Sequence, residues 1–232
     1  MTTIDAEVAS GELTAGEQAP PRRAGVIALV AVCLVSVLVV AGAVGYLLHS
    51  QSSSTAVATP AADSVDAGFS RDMATHHTQA VSMAGYTRDN SSDPAVKLLA
   101  FDIETSQQFQ LGQMDGWLTS WGLGRTSDLP EMSWMGSSMQ MQSNGLMPGL
   151  ATQAEVAKLK TLKGKALDIY FLQLMLRHHQ GGVQMAQYAA EHAETDYVRT
   201  TAQAMVAAQQ NEIIEMEQML RERGAAPLPA TS

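Results

Sequence analysis

The sequence predicts an all-α protein: a four-helix bundle built from two duplicated helix pairs, preceded by a single N-terminal transmembrane helix. Two observations lead to this. Residues 69–122 and 171–224 align without a gap at an offset of 102 positions, with 15 of 54 residues identical. Self-similarity of this kind is typical of one supersecondary unit used twice. In addition, residues 24–48 carry no charged side chain.

The uncharged segment 24–48 exceeds the roughly 20 residues that a helix needs to cross a bilayer. Arg22 and Arg23 precede it, and the next Lys or Arg is Arg71. The positive-inside rule therefore predicts a cytoplasmic N-terminus and an extracytoplasmic C-terminal domain. We expect a single-pass protein of the cell membrane, with the membrane as a partner through this anchor. Cleavage near residues 56–58, which would release the domain, is the alternative.

The rest of the chain divides by composition. Acidic and small residues predict a disordered cytoplasmic tail before the anchor, and a Ser/Thr/Ala-rich stretch predicts a flexible tether after it. The predicted segments are the tail 1–23, the anchor 24–48, the tether 49–65, the duplicated bundle domain 66–224 and a disordered tail 225–232. Within the domain, halves 66–122 and 165–224 are joined by a methionine-rich crossover, 123–164.

Apolar residues at helical spacing predict four long helices, at about 66–88, 94–121, 165–191 and 196–223. Asp93 before Pro94 is a predicted N-cap, as is Thr195, and Gly122 is a predicted C-terminal stop. Thr152 and Glu155 have capping-box spacing for a short helix over 153–162. Gly181 and Gly182 fall inside the third helix, where each costs about 0.5–1 kcal/mol relative to Ala. A close approach by another helix or a ligand would explain both glycines.

Composition excludes several classes of function. Cys33 is the one cysteine and lies in the predicted anchor, so the exported part has no disulfide, thiolate ligand or cysteine nucleophile. A net charge of −9 speaks against nucleic acid as a partner. Metal chemistry outside the membrane would have to use His, Met, carboxylate or backbone ligands.

Each repeat carries the motif Met-x2-His-His-x5-Met. Four of the six histidines in the chain fall in the two copies. Residues three, four and seven apart share one face of a helix, so His and Met side chains are grouped in each copy. Adjacent histidines point about 100° apart, so one would bind an ion while the other orients a neighbour or faces the second helix. The candidate metal ligands are His76, His77, Met73 and Met83 in the first copy and His178, His179, Met175 and Met185 in the second.

Neutral thioether and imidazole ligands together favour copper, and Cu(I) in particular, because no negative charge is buried with a monovalent ion. The crossover could gather copper as well, or it could be an adaptable packing segment. The weaker candidate ligands are Met132, Met135, Met139, Met141 and Met147 of the crossover, with Glu212.

Three functions follow from this pattern. The first is copper binding and buffering without catalysis. The second is a redox enzyme that holds haem or a metal pair in the same core. A carboxylate di-iron centre is disfavoured because neither motif supplies the Glu of a Glu-x-x-His pair, and Gln110 stands where the other half has Glu212. The third is a metal-free envelope protein whose histidines only pack and hydrogen-bond. The sequence favours a non-enzyme and leaves the oligomeric state open, a homo-oligomer included.

The doubled motif resembles the bacterial domain of unknown function 305 family over about residues 66–224. The resemblance rests on Phe69-x3-Met73-x2-His76-His77-x3-Val81-x-Met83-Ala84 and its second copy from Phe171 to Ala186. Leu146-Met147-Pro148-Gly149 and Gln209-x2-Glu212-Ile213-x2-Met216 also agree. It implies a ferritin-like bundle and, as in some exported members, copper binding linked to copper tolerance through the motif His and Met residues. This chain departs from the family pattern at Leu150 and Gln110.

Overall fold

The computed structural model describes residues 38–45, 59–136 and 141–229. The chain divides into two units, with the boundary between residues 58 and 59. In the first unit, residues 38–45 are helical, with Leu38, Val39, Val40 and Val44 exposed. Most of the predicted anchor, 24–48, lies outside the described residues, as do the tail 1–23 and most of the tether. Within the part that is described, no helix is both long and apolar enough to cross a membrane.

The second unit contains four long helices, and it has no strand among its described residues. They are α1 (Val65–Asn90), α2 (Pro94–Ser120), α4 (Gly164–His192) and α5 (Asp196–Glu222), with the short helix α3 (Gln153–Leu159) in the crossover. α1 packs along α2, α4 packs along α5, and α1 also packs against α4. The domain is therefore an all-helical bundle of two helix pairs that contact each other through the first helix of each pair.

The helix ends follow their capping residues. The Ser64 hydroxyl accepts a hydrogen bond from the Ala67 N–H at the start of α1. The Asp93 carboxylate accepts from the N–H groups of Ala95 and Val96 at the start of α2, as predicted. Gly122 follows the end of α2 with a φ of 69°, the left-handed conformation of a C-terminal glycine. Such caps satisfy backbone groups that have no partner inside the helix.

The start of α5 is capped differently from the prediction. Thr195 is the N-cap residue, but its hydroxyl makes no bond to its own helix. It donates instead to Asp66 Oδ1 at 2.6 Å, while the backbone N–H of Thr195 and that of Glu194 also donate to the Asp66 carboxylate. A carboxylate from the start of α1 thus caps a helix of the other half.

Asp168 repeats this arrangement from the other side. It is the counterpart of Asp66 at the repeat offset, and it accepts a 2.6 Å hydrogen bond from Ser91, between α1 and α2. Both aspartates are buried. Each half therefore contacts the helix junction of the other through an equivalent aspartate.

The crossover is ordered over most of its length. Residues Ser133–Met135 form one 3₁₀ turn, and Trp134 Nε1 and the Met132 N–H both donate to Asp72 Oδ2 at 2.7 Å. The predicted capping box of Thr152 and Glu155 is present at the start of α3, although this helix ends at Leu159 rather than 162. Residues 137–140, including Met139, lie outside the described part of the chain.

Two apolar clusters form the interior of the domain. One contains Phe171, Ile103 and Leu167 and is rich in aliphatic side chains. The other contains Phe69 and Trp134 and, within the described residues, seven buried methionines. On α1, Met73 belongs to the methionine-rich cluster and Met83 to the aliphatic one, whereas the order is reversed on α4. The histidine pairs of the two antiparallel helices lie between these clusters.

Candidate metal centre

All four motif histidines lie inside the bundle, although imidazole is often partly exposed. His76 and His77 on α1 and His179 on α4 have no accessible surface, and His178 is 1% exposed. The rings of His76 and His178 face each other across the α1–α4 contact, with centroids 3.8 Å apart. The centroids of His178 and His179 are 6.1 Å apart. The duplication therefore brings both histidine pairs to one place.

The second histidine of each pair faces the second helix of its own half. His77 Nε2 donates to Gln110 Oε1 at 2.7 Å, and His179 Nε2 donates to Glu212 Oε2 at 2.6 Å. Both acceptors lie 33 positions after their histidine. The geometry is the same in the two halves, but the acceptor is an amide in one and a carboxylate in the other.

The first histidine of each pair donates to backbone instead. His76 Nε2 bonds the Pro148 carbonyl oxygen of the crossover at 3.1 Å. His178 Nε2 bonds the carbonyl oxygen of His76 at 3.0 Å, across the repeat. The sequence left open which histidine of each pair faces the second helix; it is the second one in both copies.

These bonds fix the ring tautomers. A carbonyl or carboxylate oxygen only accepts, so the proton lies on Nε2 and a neutral ring keeps its lone pair on Nδ1. The Nδ1 atoms of His76, His77 and His179 are buried and have no hydrogen-bond partner among the described residues. An unmet buried polar atom costs about 1–3 kcal/mol, so three in one place need an explanation.

Burial also keeps the rings of His76, His77 and His178 neutral. It lowers the pKa of His76 to about 4 and the pKa of His77 to about 3, and the hydrogen bonds to Pro148 and Gln110 only partly oppose this. Burial and the neighbouring His76 and His179 place the pKa of His178 well below its usual value. At neutral pH these imidazoles therefore present lone pairs rather than protons.

The four motif methionines are all fully buried and are distributed across the two halves. Met73 and Met185 belong to the methionine-rich cluster, and Met83 and Met175 belong to the aliphatic cluster. Each pair of thioethers on one side of the histidines thus combines one residue from each motif. The grouping expected within one helix is replaced by a grouping between helices.

Most crossover methionines pack inside the protein. Met132, Met135 and Met147 are buried in the methionine-rich cluster, and Met141 is partly buried against it. They therefore lie in the cluster that contains Met73 and Met185. Met139, the remaining crossover candidate, lies outside the described residues.

Two glutamines outside the His-Met motif also lie in the core. Both side-chain atoms of Gln107 and the Oε1 atom of Gln209 are buried without a partner in the described structure. The two residues are equivalent at the repeat offset. A Cβ atom built on Gly182 would lie 2.6 Å from Gln209 Oε1 and 3.3 Å from His76 Cε1, so Gln209 and His76 both approach this glycine. The occurrence of Gln at this position in both repeats was the feature of the sequence that could have indicated a role in the core.

The two glycines of α4 permit close approaches: that of other helices at Gly182, as expected from the sequence, and that of the crossover segment at Gly181. A Cβ atom on Gly181 would collide with the Pro148 carbonyl group. Gly149 has a φ of 81°, and a Cβ there would lie 2.6 Å from the Arg177 carbonyl oxygen. The crossover segment 147–151 therefore runs directly against α4 beside the histidines. Gln79 of α1 holds its far end, through hydrogen bonds of 2.7 and 2.9 Å to Ala151.

The donor set suits a soft ion that uses sulfur as well as nitrogen. Among the described residues, no group of three or more His, Cys, Asp and Glu side chains could hold a metal ion by itself. Three oriented imidazole nitrogens and four buried thioethers are present instead. Metal-bound imidazoles usually donate their other N–H to a carbonyl or carboxylate, as these rings do. The chemistry of these donors therefore suits a soft metal ion such as copper.

An all-helical bundle of two duplicated helix pairs with a shared histidine core is the class that the fold and the site define. A sequence model of the family "Domain of unknown function (DUF305)" matches residues 66–220. The chain belongs to the DUF305 family, and the resemblance inferred from the motifs is confirmed.

Solved structures agree with this assignment. A DUF305 protein of Streptomyces coelicolor, named as a secreted protein, is 47% identical, with a TM-score of 0.68, covering 73% of this chain and 99% of its own. A DUF305 fragment from Deinococcus radiodurans is 34% identical, with a TM-score of 0.57 and coverages of 68% and 96%. CopM in its Cu(I)-bound form shares the fold at 24% identity, with a TM-score of 0.53 and coverages of 68% and 96%. No functionally curated protein matches the chain.

Proposed function

We propose that this protein binds copper outside the cytoplasm and buffers it or hands it on, in support of copper tolerance. The observation that carries the proposal is the set of three buried Nδ1 atoms that have no partner among the described residues, on histidines whose Nε2 atoms are all hydrogen-bonded. In a metal-free core this arrangement is unfavourable, and a bound ion would remove the cost. Met73 with Met185, and Met83 with Met175, would supply the soft ligands.

The relatives support the same function. CopM has been crystallised with Cu(I), Cu(II) and Ag. Silver is a soft monovalent ion, like Cu(I), and thioether ligands suit both. The histidines and methionines here are neutral ligands, which favours Cu(I) because the ion buries only one charge. The crossover methionines Met132, Met135, Met141 and Met147 would be supporting rather than primary ligands, and Glu212 would act through its hydrogen bond to His179.

The location outside the cytoplasm rests on two further points. The relative from Streptomyces coelicolor is named as a secreted protein. Residues 24–48 have the length and composition of an anchor, with Arg22 and Arg23 on the cytoplasmic side. The proposal is therefore a ferritin-like four-helix bundle held at the outer face of the membrane by its own N-terminal helix.

A competition titration of the full-length protein with Cu(I) tests this function, run beside Zn(II) and Fe(II). We expect saturable, copper-selective binding that is lost when His76, His77, His178 and His179 are replaced together by Gln. The single variants His76→Gln and His179→Gln guard against loss of folding, and His192→Gln, an exposed histidine stacked on Tyr188, is the matched control. Copper binding unchanged in the folded variants would exclude this site.

A further inference from the structure

The two halves differ at one position next to the histidines, and this difference is not part of the motif. Gln110 and Glu212 occupy equivalent positions at the repeat offset, and each accepts the Nε2 proton of the second histidine of its half. The distances, 2.7 and 2.6 Å, are nearly equal. The geometry of support is thus the same, and only the charge of the acceptor differs.

The charge on Glu212 is not neutralised by a basic side chain. Among the described residues, its one ion-pair contact is with His179, and no Lys or Arg reaches it. Its side chain is 20% exposed, whereas that of His179 is fully buried. Acidic side chains lie nearby: burial, together with the charges of Glu212 and Asp102, raises the pKa of Glu215. A carboxylate therefore lies against the Nε2 side of the His179 ring.

The first half offers no such charge. Gln110 is neutral, and burial with nearby His76, His179 and Arg125 makes a positive charge at His77 unfavourable. Arg125 itself donates to Asp115 and Thr78 rather than to Gln110. Because the described partner of His77 Nε2 is an amide rather than a carboxylate, an ion there would find neutral ligands.

A carboxylate behind a metal-bound imidazole raises the basicity of the ligand and compensates positive charge on the ion. The benefit increases with the charge of the ion, because the electrostatic energy is proportional to it. A divalent ion therefore gains more from Glu212 than a monovalent ion does, while an amide gives little preference between them.

We infer that residues 110 and 212 make the two halves unequal: Glu212 directs divalent copper to His179, while Gln110 leaves His77 suited to monovalent copper. This inference rests on the proposed copper function and adds to it a distinction between oxidation states. Glu212 is a positioning and specificity residue in this scheme, since it acts through His179 rather than on the ion.

The test uses full-length protein and the variants Glu212→Gln, Gln110→Glu and the double exchange. Glu212→Gln keeps the shape and the hydrogen bond to His179 while removing the charge, so its folding should be preserved. Cu(II) binding is measured by competition and by electron paramagnetic resonance, which reports nitrogen ligands. Cu(I) binding is measured by competition with a chelator under reducing conditions.

We expect Glu212→Gln to weaken Cu(II) binding about 10–100-fold, the usual effect of changing such a supporting group. Cu(I) affinity should fall by a smaller factor, because a monovalent ion gains about half as much from the carboxylate as a divalent ion does. Gln110→Glu should strengthen Cu(II) binding. The double variant should bind Cu(II) more tightly than Glu212→Gln alone, with nitrogen ligands from the first half of the bundle.

Equal losses of Cu(I) and Cu(II) in Glu212→Gln would overturn the inference, because a merely structural role affects both ions. An unchanged Cu(II) affinity in that variant would overturn it too. Wild-type protein that bound neither ion would refute the copper function itself. If wild-type protein bound both Cu(I) and Cu(II), and Glu212→Gln left the ratio of the two affinities unchanged, only the assignment to Glu212 would be refuted.

Discussion

The two halves of the bundle support the second histidine of each pair in the same way but surround the histidines differently. Asp66 and Asp168 occupy equivalent positions and each contacts the helix junction of the other half. Beside the histidines the equivalence ends, because Gly181 stands where α1 has Gln79 and admits the crossover segment 147–151. Duplication thus accounts for the shared scaffold. A few residue differences between the repeats, together with the single crossover, give the two halves chemically distinct environments around their histidines.

The largest expected effect concerns a property that both halves share, the burial of neutral imidazoles. The folded-state pKa values of His76 and His77, about 4 and about 3, lie below the ordinary value of 6.5. At pH values between the folded-state pKa and 6.5, the unfolded chain binds more protons than the folded protein. The contribution of the buried rings to the free energy of unfolding is therefore present above pH 6.5 and is lost as the pH falls. Each histidine should remove about 2 kcal/mol between pH 6.5 and pH 5.

Urea unfolding of the metal-free protein at a series of pH values measures this loss. His192→Gln, which changes an exposed histidine, should leave the pH dependence as it is. His77→Gln should make it shallower. A free energy of unfolding that stayed constant from pH 7 to pH 5 would contradict the burial of neutral rings.

The second prediction concerns the contact of the crossover segment with Gly181, which has no equivalent in the first half. Gly181→Ala places a Cβ atom against the Pro148 carbonyl group, so the segment must move or the helix must shift. We expect a loss of about 1–3 kcal/mol in the free energy of unfolding, as for other overpacked sites. Gly112→Ala on α2 is the matched control because nothing lies within 4 Å of its Cβ position. It should stabilise the protein by about 0.5–1 kcal/mol.

The third prediction compares the two reciprocal aspartates. Asp66 accepts three hydrogen bonds, two of them from backbone N–H groups, whereas Asp168 accepts one from the Ser91 hydroxyl. An amide at position 66 would turn an N–H donor toward another donor, so Asp66→Asn should cost about 1–3 kcal/mol. Asp168→Asn keeps an acceptor for Ser91 and should cost less. Equal losses in thermal unfolding would show that the two junctions are not distinguished in this way.

The smallest expected effect concerns the core glutamines. Gln107 has no hydrogen-bond partner at either side-chain atom in the described structure, and Gln209 lacks one at Oε1. Replacing Gln107 by Met keeps the volume and removes the unmet polar atoms, so the metal-free protein should gain up to about 1 kcal/mol. Denaturant unfolding with a metal chelator present would measure this. A clear loss of stability instead would mean that Gln107 makes hydrogen bonds in solution, for example to ordered water.

The sequence predicted the bundle to within a few residues at the ends of its long helices because breakers and caps such as Asp93, Pro94 and Gly122 act locally. The sequence also predicted the eight motif residues as candidate ligands, because they recur at the same spacing in both repeats. It could not predict that Asp66 caps α5, because that contact joins residues 129 positions apart. For the same reason it missed the sharing of methionines between motifs, which depends on how α1 and α4 cross. The predicted anchor lies largely outside the described residues and remains a prediction.

Nitrogen NMR of the histidine side chains during addition of Ag(I), a diamagnetic soft ion, tests the central claim most directly. The claim predicts that the Nδ1 signals of His76, His77 and His179 move on binding while their Nε2 atoms keep the proton and its hydrogen bond. The signals of exposed His192 should not move. Nδ1 signals that stayed unchanged at saturating Ag(I), or changes confined to His192, would contradict a metal centre in the histidine core.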